Sequence, residues 1–152
     1  MRKSFILLGF VTAGCAATSG SQPLPPHHMA NMPMGKIVST PLVRTATTIS
    51  GQPLRLPQGP SEMVATAMDI PPGGATAIHQ HPWSRFVYVE RGPVRITNHD
   101  TSQSHDYQTG QVIAEVVAQW HEGRAPAGSP ARLIVIDLVP PGASNMVMRP
   151  AA

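Results

Sequence analysis

Charged and aromatic side chains are scarce in this sequence, at 12% and 5% of its 152 residues. Two of the eleven Lys and Arg residues, Arg2 and Lys3, lie at the N-terminus, and the others are scattered singly. No basic stripe could therefore follow a phosphate backbone, which excludes nucleic acid as the expected partner. Glycine and proline are plentiful instead, with 13 and 17 residues. A chain poor in charge and rich in turn formers suits a small β domain better than a helical bundle.

Little in the sequence would serve nucleophilic catalysis. Cys15 is the only cysteine, so no intramolecular disulfide can form, and no Gly-x-Ser-x-Gly sequence occurs. The one extended apolar run covers residues 5–14 (FILLGFVTAG), which is about half of the ~20 residues that a transmembrane helix needs. Because this run follows a short positive leader and precedes small residues, residues 1–17 are typical of a secretory signal peptide. A buried or frayed N-terminal helix is the alternative.

The cysteine lies where such a signal would be processed. Residues 11–15 (VTAGC) resemble the lipobox of bacterial lipoproteins, in which the cysteine becomes the lipidated first residue, although Thr12 stands where that motif has an aliphatic residue. Ala16 is not the aspartate that marks inner-membrane retention in Gram-negative lipoproteins. The resemblance implies an exported protein, periplasmic or in the outer membrane, anchored to a membrane only through lipidated Cys15. Ordinary signal cleavage near residues 15–17 is the alternative.

Residues 18–36 have the composition of a flexible linker, with Ser, Gly, Pro and Met and no hydrophobic periodicity. His27, His28 and Met29 in this segment are soft ligands that suit copper. No rigid spacing fixes them, which favours a flexible tail over a metal site. We expect the folded domain to cover residues 37–152.

Short runs rich in β-branched residues alternate with turn signals along the domain. Strands separated by such turns at intervals of about eight to twelve residues, without an amphipathic helix, predict an all-β antiparallel sandwich or barrel. The strands are expected at residues 63–69, 76–81, 85–90, 94–98, 111–115 and 133–139.

Three of the seven histidines form a candidate metal site. His79 and His81 are two residues apart on a predicted strand, so both side chains point to the same face. His121 lies at the end of another strand and could supply a third ligand. Taken alone, a His-x-His pair is more often a hydrogen-bonded structural pair. His99 and His105 lie in a polar stretch that predicts an exposed hairpin.

Glycines flank these histidines at regular intervals: PPGG at 71–74, HQHP at 79–82, YVERG at 88–92, then Gly110 and His121. The arrangement resembles the two motifs of the cupin superfamily, small β-barrels of the jelly-roll type. Val116 and Ala125 stand where the second motif usually has Pro and Asn. The resemblance covers roughly residues 63–139. It implies a double-stranded β-helix with a divalent metal ion held by His79, His81 and His121.

The first motif departs from the family at one position. Arg85 stands where cupins commonly have a glutamate ligand, and a guanidinium can neither bind a metal nor lose its charge. Arg85 must therefore turn away, be neutralised by an acid, or belong to a site without metal. Glu115 is the candidate salt-bridge partner, or alternatively the replacement ligand. An Arg85 beside a metal would suit an anionic ligand, whereas an Arg85 at the surface would have no role there.

The metal and the function stay open at this stage. Three neutral histidines suit Zn, Mn, Fe, Ni or Cu, and export favours Zn, Mn or Cu because Fe(II) is harder to keep reduced outside the cytoplasm. The domain is expected to be a metal-dependent enzyme acting on a small acidic or oxygenated molecule, or a non-catalytic barrel that binds a small ligand or the metal itself. An open site would favour the enzyme, and a barrel plugged by side chains such as Trp83, Phe86 or Trp120 would favour binding alone. The run 133–136 suits either a homodimer interface or the core.

Overall fold

The computed structural model describes residues 35–151, which contain nine β-strands and no α-helix. The predicted signal peptide, Cys15, and His27, His28 and Met29 lie outside the described residues. No helix in the described part is long and apolar enough to cross a membrane. The strands are β1 Glu62–Ile70, β2 His79–Gln80, β3 Arg85–Arg91, β4 Val94–Asn98, β5 Gln103–Tyr107, β6 Val112–Ala114, β7 His121–Arg124, β8 Ala131–Val139 and β9 Val147–Met148.

The strands form two antiparallel sheets. One has the order β1-β8-β3-β6 and the other the order β5-β4-β7-β2-β9. Because strands distant in sequence become neighbours within each sheet, the two parts of the predicted histidine site can meet. The architecture confirms the expected all-β jelly roll.

The core lies between the two sheets. In β8, buried and half-buried residues alternate from end to end, and β3 follows the same alternation from Arg85 to Val89. Val87 and Val135 are paired in register and face Ile96 of the second sheet. Period-two alternation is what a strand with one inward face dictates, so the inward positions can be identified directly from the sequence.

The strand expected over residues 76–81 is much shorter, and only His79–Gln80 pairs as a strand. Thr76 is fixed to β7 by a different pattern: its N–H donates to the Gly123 carbonyl at 2.9 Å, and its Oγ1 accepts from the Gly123 N–H at 3.0 Å. Pro82 then removes a donor directly after His81. The short strands β7 and β9 were not expected, and His121 is the first residue of β7.

We expect truncation of Ile113, which is fully buried on the inward face of β6, to lower the free energy of unfolding by about 2–5 kcal/mol. The Ile113→Ala variant removes packed methyl groups and leaves a cavity. Ile37→Ala is the matched control, since Ile37 is 92% exposed and its truncation should change stability by less than about 0.5 kcal/mol. Urea unfolding followed by circular dichroism measures both. Equal losses in the two variants would contradict the assigned core.

Candidate metal centre

The structure brings His79, His81 and His121 together between the two sheets. His79 on β2 and His121 on β7 are directly paired in the sheet register, and His81 follows β2. The three ring centroids lie 4.6–4.8 Å apart, and the possible ligand atoms all lie within 4.8 Å of one another. All three side chains are buried.

Each of the three imidazoles forms a hydrogen bond between its Nδ1 atom and a backbone carbonyl oxygen. The acceptors are Ala77 O for His79 at 2.8 Å, Asn145 O for His81 at 2.7 Å, and Gln119 O for His121 at 2.9 Å. A carbonyl can only accept, so each Nδ1 must carry its hydrogen and donate. In the neutral imidazole the Nε2 atom then carries no hydrogen and has a free lone pair. This is the tautomer that binds a metal through Nε2.

Glu115 completes the cluster from the second-motif strand. Its Oε2 lies 3.0 Å from His81 Nε2 and 3.7 Å from His121 Nε2, and these two nitrogens are 3.1 Å apart. Glu115 is buried. It lies two residues after Ile113 of β6, so both side chains point inward. Three groups with lone pairs therefore converge within 3.7 Å of one another, and they repel one another unless a cation lies among them.

The electrostatics of the cluster favour positive charge beside Glu115. Burial lowers the pKa of His79 to about 4, so this ring is neutral at pH 7. Burial alone would raise the pKa of Glu115, but hydrogen bonds that the carboxylate accepts from an Nε2–H of His121 or His81 outweigh this and hold the pKa below its usual range. Burial would lower the pKa of His121, yet the hydrogen bond and charge of Glu115 raise it. Glu115 is thus a buried anion that needs a proton or a metal ion as its partner.

Arg85 is neutralised by Asp137 rather than by Glu115. Its Nε and Nη2 donate to the two carboxylate oxygens of Asp137 at 2.7 and 2.8 Å, and both residues are buried. The ion pair expected between Arg85 and Glu115 is therefore wrong, and so is a surface position for Arg85. The pairing follows from register, because Arg85 and Asp137 lie directly opposite each other on β3 and β8. The alternation of the strand could have identified this partner. Asp137 is an even number of residues from Leu133 and Val135, so its side chain points inward with theirs.

Arg85 and Glu115 are themselves neighbours across β3 and the end of β6. The Glu115 N–H donates to the Arg85 carbonyl at 3.0 Å. Opposite residues on adjacent antiparallel strands have Cβ atoms roughly 5 Å apart and point to the same face. Glu115 therefore presents a carboxylate next to the position where the cupin motif usually has its acid.

Asn145 links the Arg85–Asp137 pair to the histidines. Its side-chain amide donates to Asp137 Oδ1 at 2.6 Å and accepts from the Trp83 N–H at 2.9 Å, while its backbone carbonyl accepts from His81 Nδ1. Asn145 is buried although it lies in the segment between β8 and β9. No sequence signal identified it, because it lies 64 positions from His81 and in no recognisable strand.

The space beside the histidines is small. A cavity of about 20 Å³ is lined by Met68, His79, Arg85 and Glu115 together with core side chains, which is room for about one water molecule. Two of the three aromatic residues that could have plugged the barrel, Trp83 and Phe86, lie elsewhere. Trp83 lines a separate cavity of about 550 Å³ with Arg55 and Leu56, and Phe86 lies on the outward-facing side of β3. Aliphatic residues such as Val87 and Ile96 fill the interior instead.

The donor set fits a divalent metal ion. Two ligands bound at about 2.1 Å are about 3.0 Å apart when they form a right angle at the ion and about 3.4 Å apart in a tetrahedron. The separations of His81 Nε2 from His121 Nε2 and from Glu115 Oε2, 3.1 and 3.0 Å, match such an edge. Three imidazole nitrogens and a carboxylate are ligands that Zn, Mn, Fe, Ni and Cu all accept.

The remaining candidates lie elsewhere. His105 is exposed on β5, and His99 is exposed in the turn before it, as the predicted hairpin implies. Tyr88 alternates with the buried residues of β3 and so points outward, away from the cluster. Tyr107 is half-buried at the end of β5, and burial raises the pKa of its phenol.

Comparison with known proteins agrees with this fold. The family described as "Cupin domain" matches residues 66–137. A cupin-2 domain protein from Rhodospirillum rubrum has a TM-score of 0.50 and 14% identity, covering 58% of this chain and 57% of its own. The likeness at this identity shows the fold. No curated protein sequence matches the chain.

Two enzymes of known structure are also similar. The dimethylsulfoniopropionate (DMSP) lyase of Ruegeria pomeroyi has a TM-score of 0.49 and 16% identity, covering 57% of this chain and 42% of its own. The polyketide cyclase of Streptomyces resistomycificus has a TM-score of 0.46 and 20% identity, covering 68% of this chain and 79% of its own. The chain thus spans less than half of the lyase.

We expect removal of one partner of the buried ion pair to destabilise the domain strongly. Asp137→Ala should cost about 3–5 kcal/mol, because it leaves the Arg85 guanidinium buried without an anion. The double variant Arg85→Met/Asp137→Leu should recover much of the loss, since neither charge then stays buried alone. Urea unfolding in the presence of a chelator measures the effect without a metal contribution.

Asp106→Ala is the matched control. Asp106 forms the same bidentate contact with Arg95, but on the exposed outer side of the second sheet. Its loss should have a much smaller effect because water solvates both groups. If Asp137→Ala is no more destabilising than Asp106→Ala, the buried pair does not support the site as described.

Proposed function

We propose that the domain that contains residues 66–137, which match the cupin family, binds one divalent metal ion through His79, His81, His121 and Glu115. The function we infer is that of a metal-binding β-barrel. The cavity beside these groups has room for about one water molecule.

The observation that carries the proposal is the direction of the three Nδ1 hydrogen bonds. Each commits a ring hydrogen to a backbone carbonyl, which leaves three Nε2 lone pairs beside a buried carboxylate. A purely structural histidine cluster gains stability when one ring donates to the next. Here the orientation provides no donor between the rings unless one of them binds a proton, and a bound metal ion would satisfy all four groups together.

The buried charges make the site attractive to a cation. Arg85 and Asp137 cancel, the three histidines are neutral when they act as ligands, and Glu115 leaves one negative charge. A divalent cation changes the net buried charge from about −1 to about +1, without any group having to enter or leave. When bound, such an ion acts as a Lewis acid toward an oxygen ligand and lowers the pKa of a bound water molecule.

A metal-dependent enzyme acting on a small acidic or oxygenated molecule is the second candidate. Four protein ligands leave up to two coordination positions open on a six-coordinate ion. An enzyme could bind its substrate at these positions, and this observation favours the second candidate. The small inner cavity and the engagement of Arg85 by Asp137 count against it, because a bulky anion would need both space and a free guanidinium. Binding alone is therefore the function that the geometry supports better.

We expect the purified wild-type protein to hold about one divalent ion per chain, and His79→Ala, His81→Ala and His121→Ala to hold almost none. Glu115→Gln should keep the shape of the site and weaken metal binding by about ten- to a hundredfold. Elemental analysis gives the stoichiometry, and titration calorimetry with Zn²⁺, Mn²⁺ and Cu²⁺ gives the affinities.

His105→Ala is the control, because His105 is exposed on β5 and should keep full metal content. Added metal should also raise the melting temperature of the wild type and of His105→Ala, but not that of His121→Ala. A wild-type protein that binds none of these ions, and whose melting temperature no metal changes, would leave the cluster a structural one.

We also propose that this domain works outside the cytoplasm, tethered through Cys15. The support is the sequence of residues 1–17, a positive leader, a short apolar run and a lipobox-like cysteine. The segment between Cys15 and the described residues has a linker composition, which would let the domain stand away from a membrane.

Replacement of the cysteine should separate anchoring from export. In a Gram-negative host, we expect the wild type in the membrane fraction and Cys15→Ser outside it, because the lipid cannot be attached without the thiol. Fractionation followed by mass spectrometry of the mature N-terminus measures both. A wild type found only in the soluble periplasmic fraction, with an unmodified N-terminus, would indicate ordinary signal cleavage.

A further inference from the structure

A second cavity lies away from the histidines. Residues of the segment 52–58 line it together with residues 82–84 and Val117. Its volume of about 550 Å³ lies within the range of roughly 300–1,000 Å³ that small-molecule sites have. None of the four groups proposed to bind the metal lines this space, so a ligand there would occupy a separate site. We call it the Trp83 cavity and define it by five lining residues: Arg55, Leu56, Pro57, Trp83 and Val117.

Hydrogen bonds fix the chain segments that line the Trp83 cavity. The side-chain amide of Gln52 donates to the Val117 carbonyl at 2.8 Å and accepts from the Val117 N–H at 2.9 Å. Ser84 Oγ donates to the Arg55 carbonyl at 2.6 Å. A site whose walls are held in place before binding loses little free energy to their ordering. The cavity is therefore prepared for a ligand of defined shape.

Most of the lining is apolar. Trp83 is half-buried, and its backbone N–H donates to Asn145 Oδ1 at 2.9 Å, which fixes the chain from which the indole ring extends. Leu56 is 58% exposed, so its side chain has apolar surface that a ligand can cover. Pro57 and Val117 add further apolar side chains with little conformational freedom. Because flat conjugated groups stack on indole rings, this lining suits a ligand with an aromatic or similarly flat apolar body.

Arg55 is the one charged residue among the described residues that line the cavity. Within residues 35–151 its guanidinium forms no ion pair, whereas those of Arg85, Arg95 and Arg132 each bind a carboxylate. A guanidinium binds a carboxylate through two parallel hydrogen bonds. A single unpaired cation, with no acid in the lining, therefore favours a ligand that carries one carboxylate.

We infer that the Trp83 cavity binds a small carboxylate with a flat apolar body, whose anionic group pairs with Arg55 and whose body packs on Trp83. The N-terminal part of the chain is a poorer match as the occupant, because residues 1–34 contain no Asp or Glu that Arg55 could bind. Binding here requires no metal ion, since the Trp83 cavity and the small cavity beside the histidines have no lining residue in common.

Cinnamate, a flat conjugated carboxylate, is the probe, and cinnamamide is its uncharged counterpart of nearly the same shape. We expect the purified protein to bind cinnamate at least about tenfold more tightly than cinnamamide, because only the carboxylate forms an ion pair with Arg55. Arg55→Gln should remove this difference, and Trp83→Ala should weaken the binding of both compounds. Arg149→Gln is the matched control, since Arg149 is also exposed and has no ion pair within residues 35–151, and it should bind cinnamate as the wild type does.

Titration calorimetry measures the affinities, with a chelator present so that no metal ion can hold the carboxylate. NMR follows the indole N–H signals of the two tryptophans, assigned through Trp83→Phe, and only the Trp83 signal should shift. Circular dichroism checks folding, and Leu56→Glu, which places an anion in the cavity, repeats the test if Trp83→Ala does not fold. No binding of cinnamate at millimolar concentration would overturn the inference. Equal binding by the wild type and Arg55→Gln, or a shift of the Trp120 signal alone, would also overturn it, because the probe would then lie elsewhere.

Discussion

The carboxylate of Glu115 lies against imidazole nitrogens whose hydrogens all point the other way. At about 3 Å, groups that only accept hydrogen bonds repel one another, and inside a protein the surroundings screen this repulsion less than water would. The site is therefore arranged for a cation. The backbone carbonyls and the buried Arg85–Asp137 pair around the site keep these groups in place despite their mutual repulsion.

Two of the three supporting carbonyls come from the chain immediately before the histidine they hold. Ala77 and Gln119 each lie two residues upstream of their histidine, so local backbone geometry is enough to fix those rings. The third, Asn145, arrives from the far end of the chain and also contacts Asp137. The segment after β8 thus connects the ion pair of the first sheet to a ligand beside the second.

Arg85 stands where the cupin motif has an acid, and Glu115 at the end of a neighbouring strand supplies a carboxylate to the same region. In the cupin motif the acid belongs to the strand that follows His-x-His, and here that position carries a cation. Because the Glu115 N–H donates to the carbonyl of Arg85, the two side chains share one inward face, and the carboxylate reaches the same region from the adjacent strand. Asp137 on the other neighbouring strand then neutralises the cation. The first-motif acid is thus replaced by two acids with separate tasks.

Much of this could be predicted from local patterns, and the remainder depends on register. The β architecture follows from alternation and turn residues, and the pairing of His79 with His121 agrees with the spacing of the two motifs. The partner of Arg85 could not be assigned in the same way, because several acids were available and the strand neighbours were unknown. Inward parity on β8 would have singled out Asp137. Asn145 had no such signal, since its role depends on a long-range contact outside any regular strand.

Strand β8 also shows why an apolar run does not by itself reveal what it packs against. Residues 133–136 are uniformly apolar, so the sequence could not distinguish core from interface. The structure divides them, with Leu133 and Val135 inside and Ile134 and Ile136 on the outward side of the sheet. Asp137 lies directly after Ile136 and points inward to Arg85. One strand therefore contributes side chains to the core and, through Asp137, the acid that neutralises Arg85.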